Sequence, residues 1–600
     1  MADIDYFANE AELPEGTLAQ LFLETVDRFG DAPAFRAFVG DTDELRSISH
    51  REARALVRQV TGGLQALGIQ RGDRVAILSD NRPEWALSDY GCICAGVPDV
   101  PIYATLLPSQ VAYILEDSGA KLVFVSDREQ MDKAVEAAGE CSQDVRVVVY
   151  DDPGQLPEGV LSWERFLEMG RERMSEVPDE AFRAAALGCE PHDLATLIYT
   201  SGTTGSPKGV MLTHNNLYSN VRASAIALQV RDTDETLSFL PLCHVFQRMV
   251  DYLLFSAGCT ITYAHDIHTA VDDMEKVGPT IVVSVPRLYE KVYNAVLGAR
   301  GVKGVLLHWA REVAGAWADE RLAGRRPTAV LRFVRGVADR VVLRKIRGRV
   351  GGRLRFFVSG GAPLEPEINR FFYSVGLTIL EGYGLTETSP VTNVNTERDF
   401  RIGTVGKPVA GTEIRIAADG EILVRGPQVM KGYYGNPEAT AEAIDPDGWF
   451  HTGDIGLLDR DGFLRITDRK KDLIVTAGGK NVAPQPIENR LKTNPYVEQI
   501  VMVGDRRKFC ALLLVPDFGR LEAWATSNGI SAASRAELVS DPRVQGLIQT
   551  EILGGLDDLA PYEMPKKVAV LTEEFTIANG ALTPTQKVKR RIIEERFGNL

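Results

Sequence analysis

Residues 197–212 read LIYTSGTTGSPKGVML. Leu197, Ile198 and Tyr199 favour a strand, and residues 200–206 are drawn only from Ser, Thr and Gly. Pro207 and Lys208 follow, and Gly209, Val210, Met211 and Leu212 resume an apolar run. The pattern predicts strand, tight loop, strand. Such a loop offers hydroxyls (Thr200, Ser201, Thr203, Thr204) and backbone N–H groups with almost no side-chain bulk. Gly202 and Gly205 let the backbone approach a ligand closely, and Lys208 adds a cation. A polyphosphate calls for that chemistry. The plainer reading is a Gly/Ser/Thr loop that holds nothing.

Spacing excludes a P-loop. G-x-x-x-x-G-K-[ST] puts its lysine after a glycine and runs into a helix. Lys208 instead precedes Gly209, and the segment after it reads as extended. The stretch resembles the [ST]-[SG]-G-[ST]-T-G-x-P-K-G signature of the AMP-forming adenylate-forming enzymes, which include acyl-CoA synthetases, luciferases and peptide-synthetase adenylation domains. The resemblance assigns Thr200, Ser201, Gly202, Thr203, Thr204, Gly205 and Lys208 to the phosphates of ATP, with Ser201 also beside Mg²⁺.

Other segments resemble that superfamily's motifs in chain order. Gly361-Ala362-Pro363 after a predicted strand resembles the adenine-side turn. Tyr383-Gly384-Leu385-Thr386-Glu387 resembles Y-G-x-T-E. This implies Tyr383 stacked on adenine beside Gly384, Thr386 at the α-phosphate, and Glu387 on Mg²⁺. A carboxylate is a hard donor suited to that cation. Taken singly, Tyr383 reads as a core aromatic and Glu387 as a solvated loop acid. Gly448–Asp454 resembles W-x-x-T-G-D, whose aspartate, here Asp454, accepts from both ribose hydroxyls; a carboxylate has two oxygens for a vicinal diol. Asp459 and Asp461 read as turn residues.

Asp468-Arg469-Lys470-Lys471-Asp472 resembles the D-R-x-K-[DE] linker, with Arg469 at the nucleotide and Lys471 as hinge. Thr583-Pro584-Thr585-Gln586-Lys587 resembles the C-terminal P-x-x-x-G-K motif, with Gln586 where glycine is common. Alignment of Thr-Pro-Thr makes Lys587 the adenylation lysine and leaves Lys589 as the alternative. His244, in Leu240-Pro241-Leu242-Cys243-His244, resembles the residue lining the carboxylate end of the acyl pocket; a lone histidine is more often a satisfied core residue. Ala477-Gly478-Gly479-Lys480-Asn481 resembles the loop presented to the pantetheine channel when the C-terminal domain rotates.

Around these motifs, predicted strands at 75–78, 122–125 and 145–150 alternate with helices at 83–95 and 108–118. That alternation indicates a parallel α/β sheet. Residues 155–184 are acidic with prolines and read as a surface excursion. Residues 305–350 read as helical and basic, either an arginine-coated packing helix or a surface for anionic lipid or CoA phosphates. From Val405 the texture turns to short strands with glycine turns, and near Asp468 to a small α/β unit. The expected fold is therefore α/β: a large N-terminal domain of stacked sheets with a β-rich subdomain, residues 1–467, and a small mobile C-terminal domain, residues 468–600.

The 600 residues exceed one ordinary domain. A hydrophobic content of 44% and a charged content of 25% fit a soluble globular chain, and no apolar run reaches the length of a membrane span. The acidic start predicts no signal peptide. A net charge of −15 argues against general nucleic-acid binding. Seven scattered cysteines predict reduced thiols in a cytoplasmic protein. His244-Val245-Phe246-Gln247-Arg248, the basic insert and the helical piece near 518–559 resemble the long-chain fatty acyl-CoA synthetase branch. The resemblance implies conversion of fatty acid, ATP and CoA to acyl-CoA, AMP and diphosphate through an acyl-adenylate, with Mg²⁺. A fatty acyl-AMP ligase loading a separate carrier protein and a non-catalytic acyl or nucleotide binder are the alternatives. The basic segment 325–349 leaves room for peripheral contact with a membrane.

Overall fold

The computed structural model describes residues 4–8, 13–40, 42–200, 207–297, 301–477, 480–554, 556, 559–576, 579–583 and 588–597. Leu194–Thr200 and Lys208–Thr213 form an antiparallel pair with Thr200 opposite Lys208. The loop of residues 201–206 between them, with Ser201, Gly202, Thr203, Thr204 and Gly205, lies outside the described residues. So do Gly478, Gly479 and Lys587.

The hairpin stands at one side of an eight-stranded sheet. Leu194–Thr200 pairs in parallel with Asp99–Ile102, and the parallel run continues through Arg74–Leu78, Ala120–Val125, Arg146–Val149 and Val160–Ser162. On the other side Gly432–Tyr433 adds an antiparallel edge to Lys208–Thr213. A second sheet has nine strands. Its centre is parallel: Thr378–Gly384, Phe356–Ser359, Ile281–Ser284, Glu235–Ser238, Thr260–Tyr263 and Pro33–Phe38. These strands are covered on both faces, so they read as short apolar runs and not as alternating ones.

Helices Leu18–Phe29, His50–Ala66 and Val245–Ser256 contribute to one continuous core shared by the two sheets. Phe255 stacks with Phe22 at 5.7 Å and with Phe35 at 5.4 Å. The helix starts follow their sequence signals. Thr17, Ser49 and Thr213 each accept a backbone N–H three residues on, which satisfies an otherwise orphaned donor. A third, antiparallel sheet of five strands carries Glu413–Ile416, Glu421–Arg425, Phe450–Leu458 and Leu464–Arg469. Beyond it, residues between Ile474 and Ile593 build a core of their own around Val497–Val503, Ala511–Pro516 and Lys567–Val570. Among the described residues no helix is long and apolar enough to cross a membrane.

Residues 155–184 are not a surface excursion. Val160–Ser162 is the edge strand of the eight-stranded sheet, and helix Trp163–Met174 buries Trp163, Phe166, Leu167, Gly170 and Met174. That helix lies so close to His50–Ala66 that a methyl at Gly170 would sit 1.9 Å from the Gln59 carbonyl oxygen. Only glycine permits this approach.

The basic region is broken into pieces. Helix Gly301–Leu322 ends before Pro327. Helix Ala329–Ala338 then runs through one π-helical turn, Asp339–Leu343, into Arg344–Gly348. Arg347 donates to both carboxylate oxygens of Asp339, at 2.7 and 3.1 Å, and Arg335 joins them at 3.2 Å. Arg335 and Arg347 also donate to the carbonyls of Ser374 and Val375. For these two arginines the packing-helix reading describes what they do.

Candidate active site

One cleft of about 3510 Å³ runs from between the two large sheets to the face of the C-terminal unit. Its lining includes Lys208, Thr200, His244, Gly361, Ala362, Tyr383, Gly384, Thr386, Glu387, Asp454, Arg469 and Lys471. Residues from six separated motifs thus share one space. They sit where parallel strands end: Leu194–Thr200, Phe356–Ser359 and Thr378–Gly384 all point their C-terminal ends at it, the usual place for ligands in open α/β sheets.

At the hairpin end, the Lys208 ammonium lies 5.0 Å from the centroid of the Tyr433 ring. The Tyr433 hydroxyl donates to Oε1 of Glu387 at 3.0 Å, and the Met430 N–H donates to the Glu387 carbonyl at 2.8 Å. A cation, a phenol and a carboxylate are thereby linked across three separate segments. Sequence reasoning missed Tyr433. Its only signal was the run Lys431-Gly432-Tyr433-Tyr434-Gly435, and its place follows from strand pairing, with Tyr433 opposite Val210.

Glu387 belongs to a single 3₁₀ turn, Thr386–Thr388, at the end of Thr378–Gly384. Gly384 admits no side chain, because a methyl there would lie 1.7 Å from the Pro390 carbonyl oxygen. Thr388 accepts from the Leu385 N–H at 2.9 Å and so fixes the turn. Thr386 is half-buried at the cleft wall. Gly361, at φ +79, and Ala362 are exposed just after Phe356–Ser359.

Asp454 lies on Phe450–Leu458, opposite Arg469 on Leu464–Arg469. Both its oxygens are engaged: the Tyr383 hydroxyl donates to Oδ2 at 2.6 Å and Arg469 Nε donates to Oδ1 at 2.9 Å. Burial first, and the Asp454 charge next, push the Tyr383 phenol far above its ordinary range, so it remains a donor. Asp459 is a turn residue, as its motif implied: its Oδ1 accepts from the N–H groups of Asp461 and Phe463.

The chain after Arg469 is held from both sides. Lys470 pairs with Asp419 at 2.6 Å and Glu421 at 2.9 Å. Lys471 is exposed. Asp468 accepts from the Gln485 N–H at 3.3 Å, at the start of helix Pro484–Lys492, and burial raises its carboxyl to about 6. Further on, an isolated bridge joins Leu582 to Val588, the residues that flank the segment with Lys587. Thr583 and Lys589 both line the cleft, whereas Ala477 and Lys480 do not.

The opposite arm of the cleft is apolar. Phe239, Met249, Leu253 and Val283 line it. His244 stands at its mouth as the N-cap of Val245–Ser256, where Nδ1 accepts from the Phe246 N–H at 3.2 Å. Asn81 clamps the preceding turn, donating to the Leu240 carbonyl at 2.6 Å and accepting from the Leu242 N–H at 2.9 Å. Phe246 packs against Gly360, where a methyl would meet its ring at 2.7 Å.

Among the described residues there is no cluster of three or more His, Cys, Asp or Glu able to hold a metal ion. Glu387 is a lone hard carboxylate. Such a residue suits a cation that arrives on a ligand's phosphates and not one held by the protein alone.

Comparison with known proteins agrees with this geometry. Residues 22–434 match the AMP-binding enzyme family, and residues 471–534 match the AMP-binding enzyme C-terminal domain. The chain is 40% identical over 555 residues to the long-chain-fatty-acid–CoA ligase FadD15 of Mycobacterium tuberculosis, covering 91% of this chain and 90% of that one. It is 33% identical over 606 residues to the peroxisomal long chain acyl-CoA synthetase 7 of Arabidopsis thaliana, covering 96% and 84%. The adenylation domain of a Mycobacterium chelonae carboxylate reductase superposes with a TM-score of 0.75 at 25% identity, over 98% of this chain and 91% of that one. The strand order, the converging motifs and these likenesses place the chain in the AMP-binding enzyme family.

Proposed function

We propose that the chain is a long-chain fatty acid–CoA ligase that works through an acyl-adenylate. In the first step a fatty-acid carboxylate oxygen attacks the α-phosphorus of ATP, and the bond to diphosphate breaks. In the second the CoA thiolate attacks the acyl carbon, and AMP leaves with the bonding electron pair. The observation that carries this reading is a single cleft with Lys208, Glu387 and Asp454 at one end and the apolar arm past His244 at the other. A charged nucleotide and a hydrocarbon tail fit it together.

The motif resemblance supports the roles that follow. Tyr383, Gly361, Ala362 and Gly384 border the base. Asp454 and Arg469 hold the ribose and its neighbouring phosphate. Thr386, Lys208 and the hydroxyls and N–H groups of Thr200, Ser201, Gly202, Thr203, Thr204 and Gly205 receive the phosphates. Lys587 stabilises charge as diphosphate departs, and His244 borders the reacting carboxylate. Glu387 and Ser201 would hold a Mg²⁺ brought in on ATP, and that cation would neutralise phosphate charge. Charge gathers at one phosphorus during attack, so fixed cations and dipoles there lower the barrier without reorganising.

Residues 1–467 act as the substrate-binding body and residues 468–600 as the moving unit, with Lys471 as the hinge. The separate core between Ile474 and Ile593 supports that division. All seven cysteines are unpaired thiols, six of them buried, which supports a reducing, cytoplasmic setting.

The test is turnover with Mg-ATP and a graded series of fatty acids, with and without CoA, reading AMP, diphosphate and acyl-CoA by mass. Acyl-CoA peaking at long chains is the expected result. Acyl-adenylate and diphosphate without thioester would move the acceptor to a carrier protein. No AMP with any acid would overturn the reading.

A further inference from the structure

Asp454 owes its place to a break in its own strand. Phe450–Leu458 pairs with Glu421–Arg425, with His451 opposite Leu423 and Ile455 opposite Glu421. Four steps along one strand thus answer two along the other, and residues 452–454 bulge out of the ladder. Gly453, at φ +70, lies in the bulge, and its backbone bonds go elsewhere. Its N–H donates to Oε1 of Glu421 at 2.9 Å, and its carbonyl accepts from the Lys470 N–H at 2.8 Å.

Glu421 is 6% exposed. A carboxylate that deep costs stability unless it is paired and hydrogen-bonded. Its Oε2 accepts from Lys470 Nζ at 2.9 Å and faces His451 Nδ1 at 3.4 Å. Burial works to raise this carboxyl, but the Lys470 ammonium, the Gly453 N–H and His451 outweigh burial and hold it below its ordinary range. The plain reading is an ion pair that serves the fold. Lys470, however, already pairs with the exposed Asp419 at 2.6 Å, so charge pairing does not call for a second, buried acid. The choice of partners is more informative. Gly453 precedes Asp454 and Lys470 follows Arg469, and Arg469 Nε donates to Asp454 at 2.9 Å. One carboxylate therefore grips the chain just before Asp454 and just after Arg469.

We infer that Glu421 is a positioning residue for ATP, which keeps Asp454 and Arg469 in register by holding Gly453 and Lys470. Both its oxygens are spent on those two anchors, so it acts through them. The inference rests on the nucleotide roles proposed above for Asp454 and Arg469. The grip ends at Lys470, which leaves Lys471, the proposed hinge, as the first residue past it.

The test is equilibrium binding of Mg-ATP and Mg-2′-deoxy-ATP to the full chain by titration calorimetry, without fatty acid. Glu421→Gln keeps the shape and an acceptor for Gly453 but turns a donor towards Lys470. It is expected to weaken ATP about five- to tenfold and 2′-deoxy-ATP by less than about twofold, so that the preference for the 2′-hydroxyl collapses. Lys470→Met cuts the same link from the other side and should reproduce the pattern, and the double variant should bind no more weakly than either single one. Lys470 is half exposed, so that variant keeps its fold, and melting curves check both. Asp419→Asn leaves the link between Lys470 and Glu421 and should bind both nucleotides as the parent does. If Glu421→Gln keeps the parent's ratio of affinities, or weakens both nucleotides alike, Glu421 belongs to the fold alone and the inference is overturned, while the role of Asp454 stands. A parent without the preference, or an Asp454→Ala variant that retains it, would overturn the ribose role of Asp454 and this inference with it.

Discussion

The Tyr433 hydroxyl and the Glu387 carboxylate are hydrogen-bonded at 3.0 Å, although 46 positions separate them in the chain. Tyr433 reaches Glu387 because Gly432–Tyr433 pairs with the edge of the Lys208–Thr213 strand. The same ring faces the Lys208 ammonium at 5.0 Å. Tyr433 therefore sets the distance between an expected phosphate cation and an expected Mg²⁺ ligand. Tyr433→Phe keeps the ring beneath Lys208 and removes only the hydroxyl. A hydrogen bond to a charged group is worth roughly 1.5–3 kcal/mol. Fatty acid-dependent diphosphate exchange should fall by about tenfold or more, half-saturation by Mg²⁺ should rise, and the KM for fatty acid should hold. A variant with unchanged Mg²⁺ dependence would reduce Tyr433 to a packing residue.

Asp454 poses a competition. Tyr383 and Arg469 already take one oxygen each, at 2.6 and 2.9 Å. A ribose diol must share these oxygens or displace a partner. Its two hydroxyls should thus be bound only when both are present. The expected outcome is that 2′-deoxy-ATP is a clearly poorer substrate than ATP for the parent enzyme, and that Asp454→Ala raises the KM for ATP at least tenfold while erasing that preference. Initial rates with both nucleotides decide it. A preference that survives in Asp454→Ala would move ribose recognition elsewhere.

The parts of this arrangement differ in how readable they are. Elements such as strand Arg74–Leu78, which follows Gly72, and helix Pro83–Ala95, which opens on Pro83 and is capped by Gly96, are marked by Gly or Pro, so local signals are enough. Trp163, Phe166, Leu167 and Gly170 were hidden because Glu164, Arg165 and Glu168 and the prolines at 157 and 178 dominate the local composition. Their helical spacing carried the information that composition obscured. Tyr433 was unreadable for a different reason. A two-residue strand has no periodicity, and its partner lies more than 200 residues earlier. The engagement of Asp454 by Tyr383 and Arg469 is likewise a tertiary fact, although motif resemblance had brought all three residues to the same ligand.

The C-terminal lysines separate by their surroundings. The Lys589 N–H donates to the Ala581 carbonyl at 2.8 Å, and the next residue, Arg590, is tied to Glu488 at 2.8 Å. Lys589 thus begins an anchored stretch of the small unit's own core, where its backbone serves the fold. Lys587→Ala should lower adenylation by about 10²–10³, the usual effect of removing one preorganised charge-stabilising group. Thioester formation from a supplied acyl-adenylate should be nearly intact. Lys589→Ala should change either half-reaction only a few-fold. The reverse pattern in paired half-reaction assays would give the role to Lys589.

Buried acids should make stability depend on pH. Asp251, on helix Val245–Ser256, accepts from Gln247 at 2.7 Å and Ser238 at 3.2 Å. Burial pushes its carboxyl up to about 7 against the opposing pull of those hydrogen bonds. Unfolded, the same group titrates near 4. Between these values the folded chain holds a proton that the unfolded chain has lost, so stability falls as pH rises from about 4 to about 7 and then levels off. Glu381, also raised to about 7 by burial, acts in the same direction. Asp251→Asn has no charge to bury at any pH. Its melting temperature relative to the parent should therefore improve progressively between pH 5 and pH 8, and the slope of its pH profile should be shallower without vanishing, because Glu381 remains. Melting scans at fixed ionic strength across that range measure the effect. Parallel profiles for the two proteins would mean that Asp251 stays ionised in the folded state and that its two donors, not a proton, satisfy it.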